Sequence, residues 1–240
     1  MLIEVCANSL QSALNAQKAG AHRIELCSEL AVGGITPSYG LLKAVRDKIS
    51  IPVHVLIRPR SGDFTYFADE LKIMKENIAL CVEMGFEGIV SGVLKTDFSL
   101  DVDKTKELIE ASGNLKFTFH RAFDWVEDPF ETLFQLENLN VDYILTSGQQ
   151  KSATEGIELL KKLQAKASLC TIIPGGGVRP ENIMDFKNSG FKAAHLSGTK
   201  FLRTLPGNKR VSMNSPSFLR DGEIALTDSE IIANVVNRVK

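Results

Sequence analysis

Apolar and polar positions alternate along this chain in short bursts, and between the bursts apolar positions fall three and four residues apart. Ile3-Glu-Val-Cys6 and Ile24-Glu-Leu-Cys27 are two such bursts, 21 residues apart. A period of two puts Glu and Cys of each burst on one face of a strand. The pattern recurs at Pro52–Arg58, Gly88–Leu94, Lys116–Phe123, Tyr143–Gly148, Leu169–Pro174 and Ala193–Thr199, which predicts eight strands. The stretches between them carry helix start and stop signals. Ser9 precedes a helix to Ala19 that Gly20 ends, Ser38 precedes one to Lys48, and Gly85 closes one over Asp69–Met84. Others follow over Val102–Ala111, from Asp128-Pro129 with Pro at the first helical position, and over Ala153–Lys166 and Pro180–Ser189. Residues 203–226 have no clear period and read as a long irregular excursion, after which Thr227-Asp-Ser-Glu230 has the form of a capping box for a last helix over 227–240.

Strict alternation of strand and helix implies a parallel sheet, and eight units in 240 residues imply a closed (β/α)₈ TIM barrel. No linker divides the chain, so residues 1–240 are expected to form a single domain. An open doubly wound sheet fits less well, because no GxGxxG follows the first strand.

Composition narrows the function by exclusion. The net charge of −1 gives no general electrostatic case for nucleic acid or an anionic membrane. No stretch approaches the length of a membrane span, and Met1 leads directly into the first strand without a secretory leader pattern. The four cysteines are scattered without a CxxC pair, which points to reduced thiols in a cytoplasm. No pattern calls for an organic cofactor.

Candidate chemistry comes from the faces that do not pack on helices. Alternation turns Glu4, Cys6, Glu25, Cys27, His54, Leu56, Arg58, Thr118, His120, Thr146, His195 and Ser197 inward, leaving Ser91 undecided. With the first two strands as parallel neighbours, Glu4 is expected beside Glu25 and Cys6 beside Cys27. Barrel interiors are ordinarily filled by bulky branched side chains, so this one is unusually polar. Three readings stand side by side. The acids, arginine and histidines can form a satisfied buried ion cluster.

Alternatively, the strand ends can form an anion site. Its candidates are Arg58, Arg60, Asp63, Arg121, Asp124, Ser147, Gly175, Gly176, Gly177, His195 and Ser197, with the glycines offering backbone N–H groups. His120 would then act as acid or base beside Glu4 or Glu25, with Arg58 completing the catalytic set. Third, Cys6 and Cys27 on adjacent strands suit a soft ion such as Cu(I), although buried free cysteines are often mere fillers.

Ile3-Glu-Val-Cys6, Gly20-Ala-His-Arg-Ile-Glu-Leu-Cys-Ser28, Gly33-Gly-Ile-Thr-Pro-Ser38, Ile57-Arg-Pro-Arg-Ser-Gly-Asp-Phe64, Thr118-Phe-His-Arg-Ala-Phe-Asp124, Leu145-Thr-Ser-Gly148 and Pro174-Gly-Gly-Gly177 together resemble the CutC family. The resemblance covers roughly residues 1 to 200, in order. It implies a cytoplasmic TIM barrel, often a homo-oligomer, linked to copper homeostasis, with Cys6 and Cys27 at positions offered as Cu(I) ligands. It does not account for the arginines and histidines, which suit a small anionic partner. His22 and Ser61 stand where family members often have Asp and Gly.

Overall fold

The structure is a computed structural model that describes residues 1–205 and 223–239. Each predicted burst forms a short strand: β1 (Leu2–Ala7), β2 (Arg23–Leu26), β3 (Val53–Leu56), β4 (Gly88–Ser91), β5 (Lys116–Phe119), β6 (Tyr143–Thr146), β7 (Thr171–Pro174) and β8 (Ala193–Leu196). All pairings among them are parallel, in the order β7-β6-β5-β4-β3-β2-β1-β8. Between β7 and β8 the ring closes through the bridge of Gly175 with His195 rather than a ladder. The result is a nearly closed (β/α)₈ barrel, the class that the alternation predicts.

Helices α1 (Leu10–Lys18), α2 (Tyr39–Lys48), α3 (Ala68–Glu83), α4 (Val102–Ser112), α5 (Pro129–Asn138), α6 (Ile157–Lys166) and α7 (Ile183–Asn188) return the chain between strands. The cap residues act as the sequence suggests. Ser9 accepts from Ser12 N, Ser38 from Leu41 N, and Asp128 from Phe130 N and Glu131 N ahead of Pro129. Two helices begin later than their periodicity implies. Residues ahead of α6 are drawn into a turn because Gly148 and Gly156 touch backbone to backbone; a Cβ on Gly148 would lie 2.3 Å from the Gly156 carbonyl oxygen. Ahead of α7, the Asn182 side chain accepts from Arg179 N and donates to the Gly177 carbonyl, which holds an open turn. Similarly, Arg121–Trp125 is a 3₁₀ turn and not the end of a strand.

The tail departs from expectation. Thr199–Arg203 (β9) and Glu223–Thr227 (β10) pair antiparallel, so both ends of the supposed irregular excursion are strands; residues 206–222 lie outside the described residues. The last helix, α8 (Ser229–Val239), is capped by Asp228, which accepts from Glu230 N and Ile231 N. Thr227 belongs to the strand, where its N–H donates to Ser12 Oγ.

Two faces of the strands bury different chemistry. Ile3, Val5, Ile24, Leu26, Val53, Val55, Phe117 and Phe119 point outward into one continuous apolar layer under the helices. Each fully buried side chain of this size contributes about 1.5–3 kcal/mol. The inward face is apolar only in patches: Leu145, Ile173 and Ala193 at one side, Leu56 and Val90 beside the two cysteines at the other. Val90 settles strand four, because Ser91 then faces out and donates to the Ile57 carbonyl. Thr146 also faces out, contrary to expectation, since Tyr143 and Leu145 take the inward positions of β6.

Candidate functional site

The polar floor of the barrel is built by β1, β2 and β8. Their register pairs Glu4 with Arg23 and with His195, and Cys6 with Glu25. The two acids are therefore not side by side. Strands in a closed barrel tilt and shear, so equivalent residues of neighbouring strands sit at different heights. The stagger gives Glu4 a better neighbour than a second carboxylate: Arg23 Nε donates to its Oε2 at 2.6 Å, and His195 Nδ1 bonds its Oε1 at 2.8 Å. Burial alone would raise the Glu4 pKa, but Arg23 and His195 more than reverse this and hold it down to about 2. Glu4 is thus a buried anchor, closed off from the cavity, rather than a base.

Above Glu4 lies a second tier. The Cys6 thiol reaches Glu25 Oε1 at 3.5 Å and Cys27 Sγ at 3.5 Å. Although Cys27 stands diagonally across the ladder and not opposite, the two sulfurs still meet as the repeat suggested. The contact with Cys27, burial and the Glu25 charge together push the Cys6 thiol well above its ordinary pKa. Burial pushes Glu25 up as well; His195 opposes this and the Glu4 charge adds to it. For His195, burial favours the neutral ring, yet Glu25 and Glu4 outweigh it and the net shift is upward. Cys6, Glu25 and His195 offer ligand atoms that all lie within 4.8 Å of one another. With Nδ1 held by Glu4, His195 keeps Nε2 for this group, the usual way a carboxylate orients a metal-binding imidazole. Glu25 Oε2 is buried without a hydrogen-bond partner.

Over this floor, at the C-terminal ends of the strands, opens a cavity of about 1080 Å³. Cys6, Glu25 and His195 line its base, and Arg58, His120 and Arg121 stand on its wall. The predicted rim residues fall into distinct groups there. Arg58 is nearly enclosed and already committed: it donates to the carbonyls of Val32, Gly34 and Gly62 and lies over the Phe64 ring. It ties two loops together and has only Nε without a partner. Arg60 and Asp63 lie outside the cavity lining, where Arg60 bonds Glu70 at 2.6 Å and Asp63 at 3.2 Å. These three residues brace loops and do not form a clamp.

Asp124 performs similar bracing, accepting from Thr146 Oγ1, Ser147 N, Gln149 N and Arg121 Nε. Ser147 is buried and receives Arg121 Nη2 at 2.9 Å. Gly175 faces inward, where a Cβ would lie 2.5 Å from Leu145 Cδ1. Gly176, Gly177 and Ser197 do line the cavity.

His120 lines the wall with no carboxylate bonded to it. Its Nδ1 accepts from Ala122 N at 3.2 Å, which fixes the proton on Nε2, and Nε2 is buried without an acceptor. Burial and the Arg58 charge push its pKa down to about 3. The ring is a neutral donor near pH 7, not a proton shuttle.

Four residues that shape the site were not singled out by sequence reasoning. Arg23 shares the inward face of β2 with Glu25 and Cys27, so the same alternation marks it. Gly34 lies against Cys27, with φ of +86° and room for no side chain: a Cβ would be 2.7 Å from Leu56 Cδ2 and 3.3 Å from Cys27 Cβ. Trp125 and Arg179 line the cavity from loops whose course no local periodicity reveals.

Fold and floor define an α/β barrel with a thiol–carboxylate–imidazole cluster at the base of the cavity at the C-terminal ends of its strands. Residues 1–200 match the profile of the CutC family, and the chain belongs to that family. It is 44% identical over 196 residues to the family protein CutC of Salmonella agona, covering 82% of this chain and 79% of that one. It is 36% identical to the crystal structure of CutC from Streptococcus agalactiae, named as a candidate copper homeostasis protein. There the TM-score is 0.78, with 82% of this chain and 98% of that chain covered. Thiamine phosphate pyrophosphorylase from Pyrococcus furiosus shares the fold alone, with a TM-score of 0.60, 12% identity and coverage of 99% and 95%.

Proposed function

We propose that this protein serves copper homeostasis in the cytoplasm by taking up Cu(I) between Cys6 and Cys27. The observation that carries the reading is the 3.5 Å approach of the two sulfurs at the base of an open cavity, with Cys6 on the cavity surface. Soft thiolates select Cu(I), which tolerates few ligands. Family membership and the name of the Streptococcus agalactiae protein point the same way.

The surroundings supply the proton chemistry that thiolate binding demands. Thiols must lose protons to bind a metal. The Cys6 S–H already donates to Glu25 Oε1, so its proton has an acceptor in place as the ion arrives. With that proton kept on Glu25, only the Cys27 proton leaves the cluster as one positive ion enters, so the local charge is unchanged. His195 stands beside it with a ring biased toward the charged form. Arg58 positions the second sulfur indirectly by holding the Gly34 loop against Cys27.

The test is competition for Cu(I) against a high-affinity chelator under reducing conditions. Wild type is expected to take a single Cu(I) per chain tightly, and the Cys6→Ser/Cys27→Ser double variant to lose it while its thermal melt stays cooperative. Equal binding by both proteins would refute these ligands.

A further inference from the structure

Copper uptake leaves the upper half of the cavity unexplained. A soft ion needs neither backbone amides nor guanidinium groups, yet the wall where β7 and β8 end is made of both. The N–H groups of Gly177 and Gly198 donate to no acceptor among the described residues, whereas that of Gly176 turns to the His195 carbonyl in the bridge that closes the barrel. Gly176 and Gly177 adopt φ of +96° and +75°, a backbone course that other residues resist. Gly198 is similarly constrained, with φ of +54° and Ile232 Cδ1 2.6 Å from where a Cβ would sit.

All three glycines line the cavity, as does Arg179, whose guanidinium has no ion pair or hydrogen bond among the described residues. Arg121 lies against Gly176, with its Cζ 3.4 Å from the position of a Cβ there. Free amides and an uncommitted guanidinium on one wall form an anion receptor. Loops after the seventh and eighth strands are also where barrels of this class frequently hold phosphate.

A second, independent observation lies elsewhere on the same cavity. His120 is about 5% exposed, and its Nε2–H has no acceptor among the described residues. A buried donor without a partner costs about 1–3 kcal/mol, so an unfilled donor on a cavity wall marks a place for a ligand atom. The donor is fixed in direction by the Ala122 N–H on the other ring nitrogen.

We propose that the cavity binds a small phosphomonoester: the phosphate sits on the amides of Gly177 and Gly198 with Arg179, and His120 Nε2–H donates to a carbonyl or hydroxyl oxygen of the same molecule. The ligand class follows from size and charge together. A cavity of about 1080 Å³ exceeds what inorganic phosphate fills, and the dispersed polar wall favours a polar body over an apolar one. The site shares the cavity but none of its binding groups with the thiol pair, so it does not depend on the copper reading.

The protein contains one tryptophan, Trp125, and it lines this cavity, so binding has a built-in reporter. Tryptophan fluorescence is followed while wild type is titrated with glycerol 3-phosphate, inorganic phosphate or glycerol at constant ionic strength, and the ³¹P resonance of each phosphate is followed alongside. Saturable binding is expected, tighter for glycerol 3-phosphate than for inorganic phosphate and absent for glycerol. Arg179→Ala, a change at an exposed side chain without partners, is expected to weaken both phosphates about tenfold or more. His120→Phe is expected to remove the preference for glycerol 3-phosphate over inorganic phosphate. The Cys6→Ser/Cys27→Ser variant is expected to bind phosphates like wild type, which separates this site from the copper site. No fluorescence change together with no ³¹P broadening would overturn the proposal, and so would unchanged affinity in Arg179→Ala.

Discussion

Glu4 and His195, 191 residues apart in the chain, face each other across the β1–β8 ladder with a 2.8 Å bond between Oε1 and Nδ1. That bond, with Arg23 on the other carboxylate oxygen, makes Glu4 the hinge between the barrel's structural floor and its reactive tier. Glu4→Gln would leave Arg23 buried without its counter-ion. A loss of about 3–5 kcal/mol in urea unfolding is expected, against less than about 1 kcal/mol for Asp47→Asn in the exposed Lys43–Asp47 pair. Similar losses at the two sites would show that the buried pair has no special weight.

His120 gives a pH signature. Its pKa is about 3 in the folded protein against an ordinary value of 6.5, so protonation favours the unfolded chain. Its contribution is therefore constant above about pH 6.5 and is lost as pH falls from there toward 3. Relative to His120→Asn, wild type is expected to lose about 1.4 kcal/mol per pH unit across that window. Parallel stability curves for the two proteins, measured by denaturant unfolding at successive pH values, would show that the ring is not buried neutral.

Cu(I) uptake should also depend on pH. The Cys6 thiol is raised well above its usual range, so its proton must be displaced throughout the neutral region. Apparent affinity is expected to rise about tenfold per pH unit for each proton released. Competition titrations between pH 6.5 and 8.5, corrected for the chelator's own protonation, measure the slope. A slope of zero would exclude thiol ligands.

Gly34 separates packing from ligation. Gly34→Val places a branched side chain at φ of +86° and forces it against Leu56 and Cys27. A destabilisation of about 2–4 kcal/mol is expected from strain and overpacking. Cu(I) binding should fall as well, because the sulfurs are pushed out of register. Conservation of both properties would mean that the loop does not press on Cys27.

The architecture was readable because it rests on local periodicity: the outward faces are mostly Ile, Val, Leu or Phe at every second residue, and α1, α2, α4, α5 and α8 begin at a side-chain cap. Which residues face inward was equally readable for β1, β2, β3, β5 and β8. What the periodicity does not contain is the stagger between strands. A shift of one inward position replaced the Glu4–Glu25 pair by Glu4–Arg23 and brought Cys6 opposite Glu25. Nor does a sequence show how a guanidinium is used. Arg58 and Arg60 resemble an anion clamp on paper, yet carbonyls of the loop after β2 and Glu70 of α3 take them up. Arg179, which has no such partners among the described residues, looked no different along the chain. At β6, Tyr143 is amphipathic enough to sit on either face, and the inward place went to it rather than to Thr146.

The position of His195 on the last barrel strand sets an order of events during synthesis. Glu4, Cys6, Glu25 and Cys27 leave the ribosome first, and the imidazole that completes their cluster emerges on the order of ten seconds later. Until then a nascent chain holds two interior acids with Arg23 as their only close cation among these residues. The reactive tier is consequently finished only when β8 docks, so a truncated or stalled product would carry both cysteines without the group that orients and balances them.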